Sequence, residues 1–167
     1  KRTPSLLANN VPFTMEADSL NCIVLGESVQ PNDPEWDLFI KEVRKEMTLK
    51  SGQRCTGVRR IFVPQSHLTA VAESLQKALA QTIIGSPLNE KVRMGSLAGM
   101  SQREEVLTQV KKLLASSQLI YGSLDSVEVV DADAIKGAFL SPLLLLNEKP
   151  FHSNEPHEIE AFGPVST

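Results

Sequence analysis

The chain has 167 residues, of which 41% are hydrophobic and 22% charged, and its net charge is −3. That is enough chain to bury one core as a single globular domain, and the charge balance and scarcity of aromatics (5%) argue against nucleic-acid and anionic-membrane surfaces. Two cysteines, Cys22 and Cys55, are too few for a disulfide scaffold and suit free thiols in a reducing cytoplasm, and no stretch has the length of a membrane span.

In chain order, Cys22-Ile23-Val24-Leu25 is a short apolar run ended by Gly26, which predicts a buried strand with Cys22 as a packing residue. Asp33 followed by Pro34 marks a helix start. The helix is expected from about Glu35 to Leu49, with Trp36, Phe39, Ile40, Val43 and Met47 on one apolar face, ended by Gly52. Ile61-Phe62-Val63 predicts a strand closed by Pro64. A second helix follows over about His67 to Thr82, with Leu68, Val71, Leu75 and Leu79 as its stripe. Residues 85–99 read as loop. Ser101-Gln102-Arg103-Glu104 has the form of a capping box, opening a third helix that turns Val106, Val110, Leu113 and Leu114 inward. Gln118-Leu119-Ile120-Tyr121 predicts a strand, and 123–136 fits neither period. Phe139 to Leu146 is continuously apolar and predicts a strand covered on both faces. Strands alternating with helices give an α/β layer sandwich.

Ser51-Gly52-Gln53-Arg54-Cys55-Thr56 carries the chemistry. A cysteine on a glycine-containing turn between a helix and a strand is placed to react rather than to pack. Its thiolate could attack a carbonyl carbon while nearby backbone N–H groups hold the oxyanion. Alternation along the following strand sends Arg59 and Arg60 to opposite faces, so at most one faces the thiol; the commoner fate of such residues is a surface ion pair.

Gly52-Gln53-Arg54-Cys55 followed by a basic strand resembles the nucleophile segment of the aldehyde dehydrogenase superfamily. Phe13-Thr14-Met15-Glu16-Ala17-Asp18-Ser19-Leu20-Asn21, upstream, resembles the segment that carries the family's general base. Glu160-Ala161-Phe162-Gly163-Pro164 resembles its Glu-x-Phe-Gly-Pro motif. Ile84-Gly85-Ser86-Pro87 and Gly137-Ala138-Phe139-Leu140-Ser141-Pro142 echo it more weakly. The order agrees, and the resemblance covers nearly the whole chain. Met-Glu-Ala-Asp-Ser-Leu-Asn stands where the family usually has Glu-Leu-Gly-Gly. That variant is similar to the dehydrogenase half of the bifunctional ring-opening enzymes of bacterial phenylacetate degradation.

The resemblance implies a three-layer α/β/α catalytic domain with a mostly parallel twisted sheet, and NADP or NAD as cofactor in the full-length enzyme. It implies Cys55 as nucleophile and Glu16 as base for the deacylating water. It also implies Glu160 on the nucleotide ribose and Phe162 beside the nicotinamide. A glutamate at position 16 favours an acid product over transfer of the acyl group to coenzyme A. The closer resemblance implies an open-chain semialdehyde carried on coenzyme A with NADP as acceptor, a homo-oligomer when full length and fusion to a hydratase-like domain. Residues 1–167 then read as one catalytic domain excised from a longer chain, lacking the cofactor half and a C-terminal part, and inactive by itself.

Blander readings stand beside these. Cys55 as a buried thiol, Glu16 as a solvated carboxylate with Asp18 in a local turn, Glu160 in a solvated loop and Phe162 as core packing are each ordinary fates. A cysteine hydrolase would need His67, His152 or His157 as base. The three histidines show no metal-ligand spacing.

Overall fold

The computed structural model describes residues 3–14, 17 and 19–167; Met15, Glu16 and Asp18 lie outside the described residues. The helices are α1 (Thr3–Ala8), α2 (Pro34–Thr48), α3 (Leu68–Ala80), α4 (Met100–Leu113) and α5 (Glu155–Glu158). The strands are β1 (Asn21–Val24), β2 (Val58–Phe62), β3 (Gln118–Tyr121), β4 (Leu143–Leu146) and β5 (Val165–Ser166).

β1 and β2 are parallel, β4 and β5 are parallel, and β3 runs antiparallel to β4. Two main-chain bonds of Thr167 join these groups. Its N–H donates to the Arg59 carbonyl at 2.9 Å and its carbonyl accepts from Ile61 N–H at 2.8 Å, giving the order β1-β2-β5-β4-β3.

The period-2 alternation of β4 divides the core. Leu144 faces a cluster with Trp36, Phe39, Ile40, Val43 and Met47 of α2 and Val71, Leu75 and Leu79 of α3. Leu143 and Leu145 face Val106, Val110 and Leu113 of α4, with Ala161 and Val165. Helices therefore cover both faces, and the α/β/α layering predicted from the sequence is the observed one. The apolar stripes of α2 and α3 are where their period places them, with Val43 and Met47 fully buried. On the α3 side an open apolar groove runs between that helix and residues 147–157, floored by Ile61, Leu144 and Leu146.

Several local expectations are corrected. β1 is an edge strand with an exposed–exposed–intermediate–exposed pattern, and Cys22 on it is exposed rather than packed. Among the described residues only one strand neighbours β1, and no helix buries its outer side. α4 begins before the supposed capping box. Its N-cap is Gly99, without a side-chain cap, so Ser101 already lies in the first turn. Asp33 is the N-cap of α2, but its carboxylate accepts from the N–H of Gln30 at 2.7 Å instead of capping the helix. β4 covers only the second half of the apolar run. Ala138, Phe139 and Leu140 are buried without strand pairing, held by Leu97 N–H donating to the Ala138 carbonyl and Arg103 Nε donating to the Phe139 carbonyl.

Candidate active site around Cys55

α2 ends at Thr48, and the chain then makes one left-handed turn. Lys50, Ser51 and Gly52 have φ of 52°, 55° and 68°. Such conformations cost about 1–3 kcal/mol each for residues other than glycine and persist only where the surroundings enforce them. Here the enforcement is visible. Ser51 is buried, and its hydroxyl donates to the carbonyls of Gly95 and Ser96 at 2.9 and 3.1 Å. Gln53 Oε1 accepts from Ala98 N–H at 2.7 Å. Gly52 lies against the Gly163 carbonyl, so closely that an added Cβ would sit 2.1 Å from that oxygen.

Cys55 stands at the tip of the segment that follows, and it is exposed. Its carbonyl accepts from the Ser19 hydroxyl at 2.6 Å and from Asn21 Nδ2 at 2.5 Å. The backbone at the thiol is thereby pinned from the upstream segment, while the side chain is left facing out. Arg54 folds back on α2, pairing with Glu46 at 3.0 Å.

Ser19 also reaches the terminal segment. Its N–H donates to Glu160 Oε2 and its hydroxyl lies 3.1 Å from Glu160 Oε1. Glu160 is thus not in a solvated loop. Its side chain is only 10% exposed, and Oε1 lies 3.6 Å from Nε of Arg59, an ion pair too long for a hydrogen bond. Arg59 is corrected likewise, being buried in the interior instead of paired on the surface. Burial holds its pKa below the usual guanidinium value, a penalty that Glu160 partly offsets. The guanidinium lies over the Phe162 ring at 5.4 Å.

The structure therefore brings Cys55, Glu160 and Phe162 into one neighbourhood through Ser19 and Arg59; Glu16 lies outside the described residues. Ser19 and Asn21 lie inside the upstream motif without a signal of their own, and Arg59 was legible only as one of two arginines that could face the thiol. Arg60, on the opposite face as alternation required, donates to the Leu20 carbonyl and to His157 Nδ1. His157 Nε2 donates to the Pro150 carbonyl, which fixes its tautomer. His67 is buried edge-on against Trp36. None of His67, His152 and His157 is hydrogen-bonded to Cys55 among the described residues.

Fold and site together define an α/β layered domain with an exposed cysteine on a helix-to-strand turn. The chain belongs to the aldehyde dehydrogenase family, whose model matches residues 8–167. It is 39% identical over 164 residues to the 3,4-dehydroadipyl-CoA semialdehyde dehydrogenase of Aromatoleum evansii, covering 98% of this chain and 32% of that protein. It is 26% identical over 156 residues to a betaine aldehyde dehydrogenase of Vibrio vulnificus, covering 92% of this chain and 30% of that protein. Among solved structures it superposes on a succinic semialdehyde dehydrogenase from Streptococcus pyogenes, in complex with NADP+, with a TM-score of 0.75. The identity there is 22%, covering 98% of this chain and 33% of that one. The chain thus spans about a third of the length of the relatives it matches.

Proposed function

We propose that this chain supplies the nucleophile of an NAD(P)-dependent aldehyde dehydrogenase, and that Cys55 is that nucleophile. The observation that carries the reading is the exposed thiol on a turn whose own carbonyl is pinned by Ser19 and Asn21. A fixed backbone with a free side chain is what attack along one trajectory requires. The Cys55 thiolate adds to the aldehyde carbon and forms a thiohemiacetal. After oxidation a thioester to Cys55 remains. Glu16 takes a proton from water, which attacks the thioester and releases the carboxylic acid and the free thiol.

A nicotinamide nucleotide, when bound, accepts the hydride. Glu160 fits a ribose contact through its acceptor chemistry alone: a carboxylate offers about four lone-pair sites, and Ser19 and Arg59 leave capacity for a hydroxyl donor. Phe162, partly exposed one residue beyond Ala161, is assigned to the nicotinamide side.

For the substrate we favour a semialdehyde carried on coenzyme A, in aromatic catabolism. Its support is the 39% identity to a dehydrogenase of that substrate class, together with the Met-Glu-Ala-Asp-Ser-Leu-Asn variant. We further propose that residues 1–167 act as one catalytic unit and that turnover needs a protein of the relatives' full length.

The test uses a family-length protein carrying this segment. Cys55→Ser should abolish NAD(P)H formation. Glu16→Gln should leave a first-turnover burst and then stall, with a mass increment on Cys55. Glu160→Gln should slow hydride transfer without a trapped thioester, and Asp18→Asn should do neither. Rapid-mixing absorbance and intact-protein mass read these outcomes. Normal steady-state turnover by Cys55→Ser would end the assignment.

A further inference from the structure

Arg59 is the buried cation that touches both halves of the site. Its Nη2 donates to the carbonyls of Gly52 at 2.7 Å and Arg54 at 3.2 Å, in the turn that presents Cys55. Its Nη1 donates to the carbonyl of Gly163 at 2.7 Å, 104 residues away in sequence. Nε faces Glu160, and the guanidinium plane lies over Phe162. Gly57 makes room for it, since a Cβ there would lie 3.3 Å from Cζ. The side chain is 4% exposed; both terminal nitrogens are spent on carbonyls, while Nε, 3.6 Å from Glu160, makes only the ion pair and no hydrogen bond among the described residues.

We infer that Arg59 is a positioning residue. It fastens the Cys55 turn to the Glu160–Gly163 segment, so that the thiol and the Glu160 carboxylate keep one relative geometry. Every donor that reaches the turn lands on a main-chain carbonyl, so Arg59 sets backbone placement. The fork geometry serves two segments at once; a lysine has one nitrogen and cannot span both. The inference deepens the reading of Cys55 as nucleophile and rests on it for its functional meaning. The contacts themselves do not depend on it.

The test is hydrogen exchange on the 167-residue chain, read by mass spectrometry, with cysteine alkylation beside it. In Arg59→Lys, exchange should rise about tenfold or more in 50–57 and in 160–165 together, while α3 stays within about twofold. The ratio of Cys55 to Cys22 alkylation should change with it. Glu160→Gln should loosen the same two segments to a smaller degree and provides the second reading where Arg59→Lys does not fold. Unchanged protection of both segments in a folded variant would overturn the inference. So would a uniform rise including α3, which marks general destabilisation. Failure of Cys55 as nucleophile is seen separately, as turnover by Cys55→Ser in the family-length protein.

Discussion

At the scale of single residues, the turn before Cys55 is the most constrained stretch. Gly52 combines a φ of 68° with a backbone oxygen 2.1 Å from any Cβ. Gly52→Ala should therefore lower stability by at least about 2 kcal/mol, since both strain and clash act at once. Urea unfolding of the variant measures it, and a loss within 0.5 kcal/mol would mean that the turn relaxes, on the scale of about 0.5 kcal/mol typical of surface changes. The two thiols give a second prediction. Both Cys22 and Cys55 are exposed, so iodoacetamide should label both in the native chain without denaturant. Peptide mass spectrometry reads this directly, and a Cys22 that reacts only after unfolding would contradict the edge placement of β1. Tyr121 gives a third. Burial raises its phenol pKa above 10.0. The folded state then holds that proton longer than the unfolded state, so this contribution to stability is complete below about pH 10 and is lost as pH rises toward the folded value. Tyr121→Phe should flatten the alkaline limb of a stability–pH curve.

At the scale of elements, α2 and α3 are held by the side chains that close their shared core. Leu79 is 1% exposed in that cluster, whereas Leu38, on the outer side of α2, is 56% exposed. Leu79→Ala should cost about 2–5 kcal/mol through lost burial and a cavity, and Leu38→Ala should stay within about 0.5 kcal/mol. Denaturant midpoints at constant slope test the pair. These helices were legible in the sequence because a 3.6-residue stripe needs no partner to be recognised. The start of α4 was not, because Ser101-x-x-Glu104 fits a capping box whether or not the chain begins its helix earlier.

At the scale of the whole molecule, the sheet closes only when Thr167 pairs with β2, bringing the terminal motif alongside the cysteine turn. The chain spans about a third of its relatives' length. By itself it should show no NAD(P)-dependent oxidation of a semialdehyde, as the proposed need for a protein of the relatives' full length requires. Turnover with either nucleotide, followed by absorbance, would refute that expectation and with it the proposed need for a full-length protein.

The residue pattern by itself determined α2, α3 and the body of α4 with their buried faces, the α/β class and the turn that bears Cys55, because periodicity, helix stops and Gly-Gln-x-Cys are local properties. It also determined that Arg59 and Arg60 part to opposite faces, because a strand alternates. Only the tertiary structure decided which face is interior, and so made Arg59 a buried clamp where a surface ion pair was expected. It decided that Cys22 is exposed, because burial of an apolar strand depends on how many neighbours the sheet gives it. It placed Glu160 in the interior as well, since Ser19 and Arg59 meet that carboxylate from segments 141 and 101 residues distant, a pairing that no local pattern encodes.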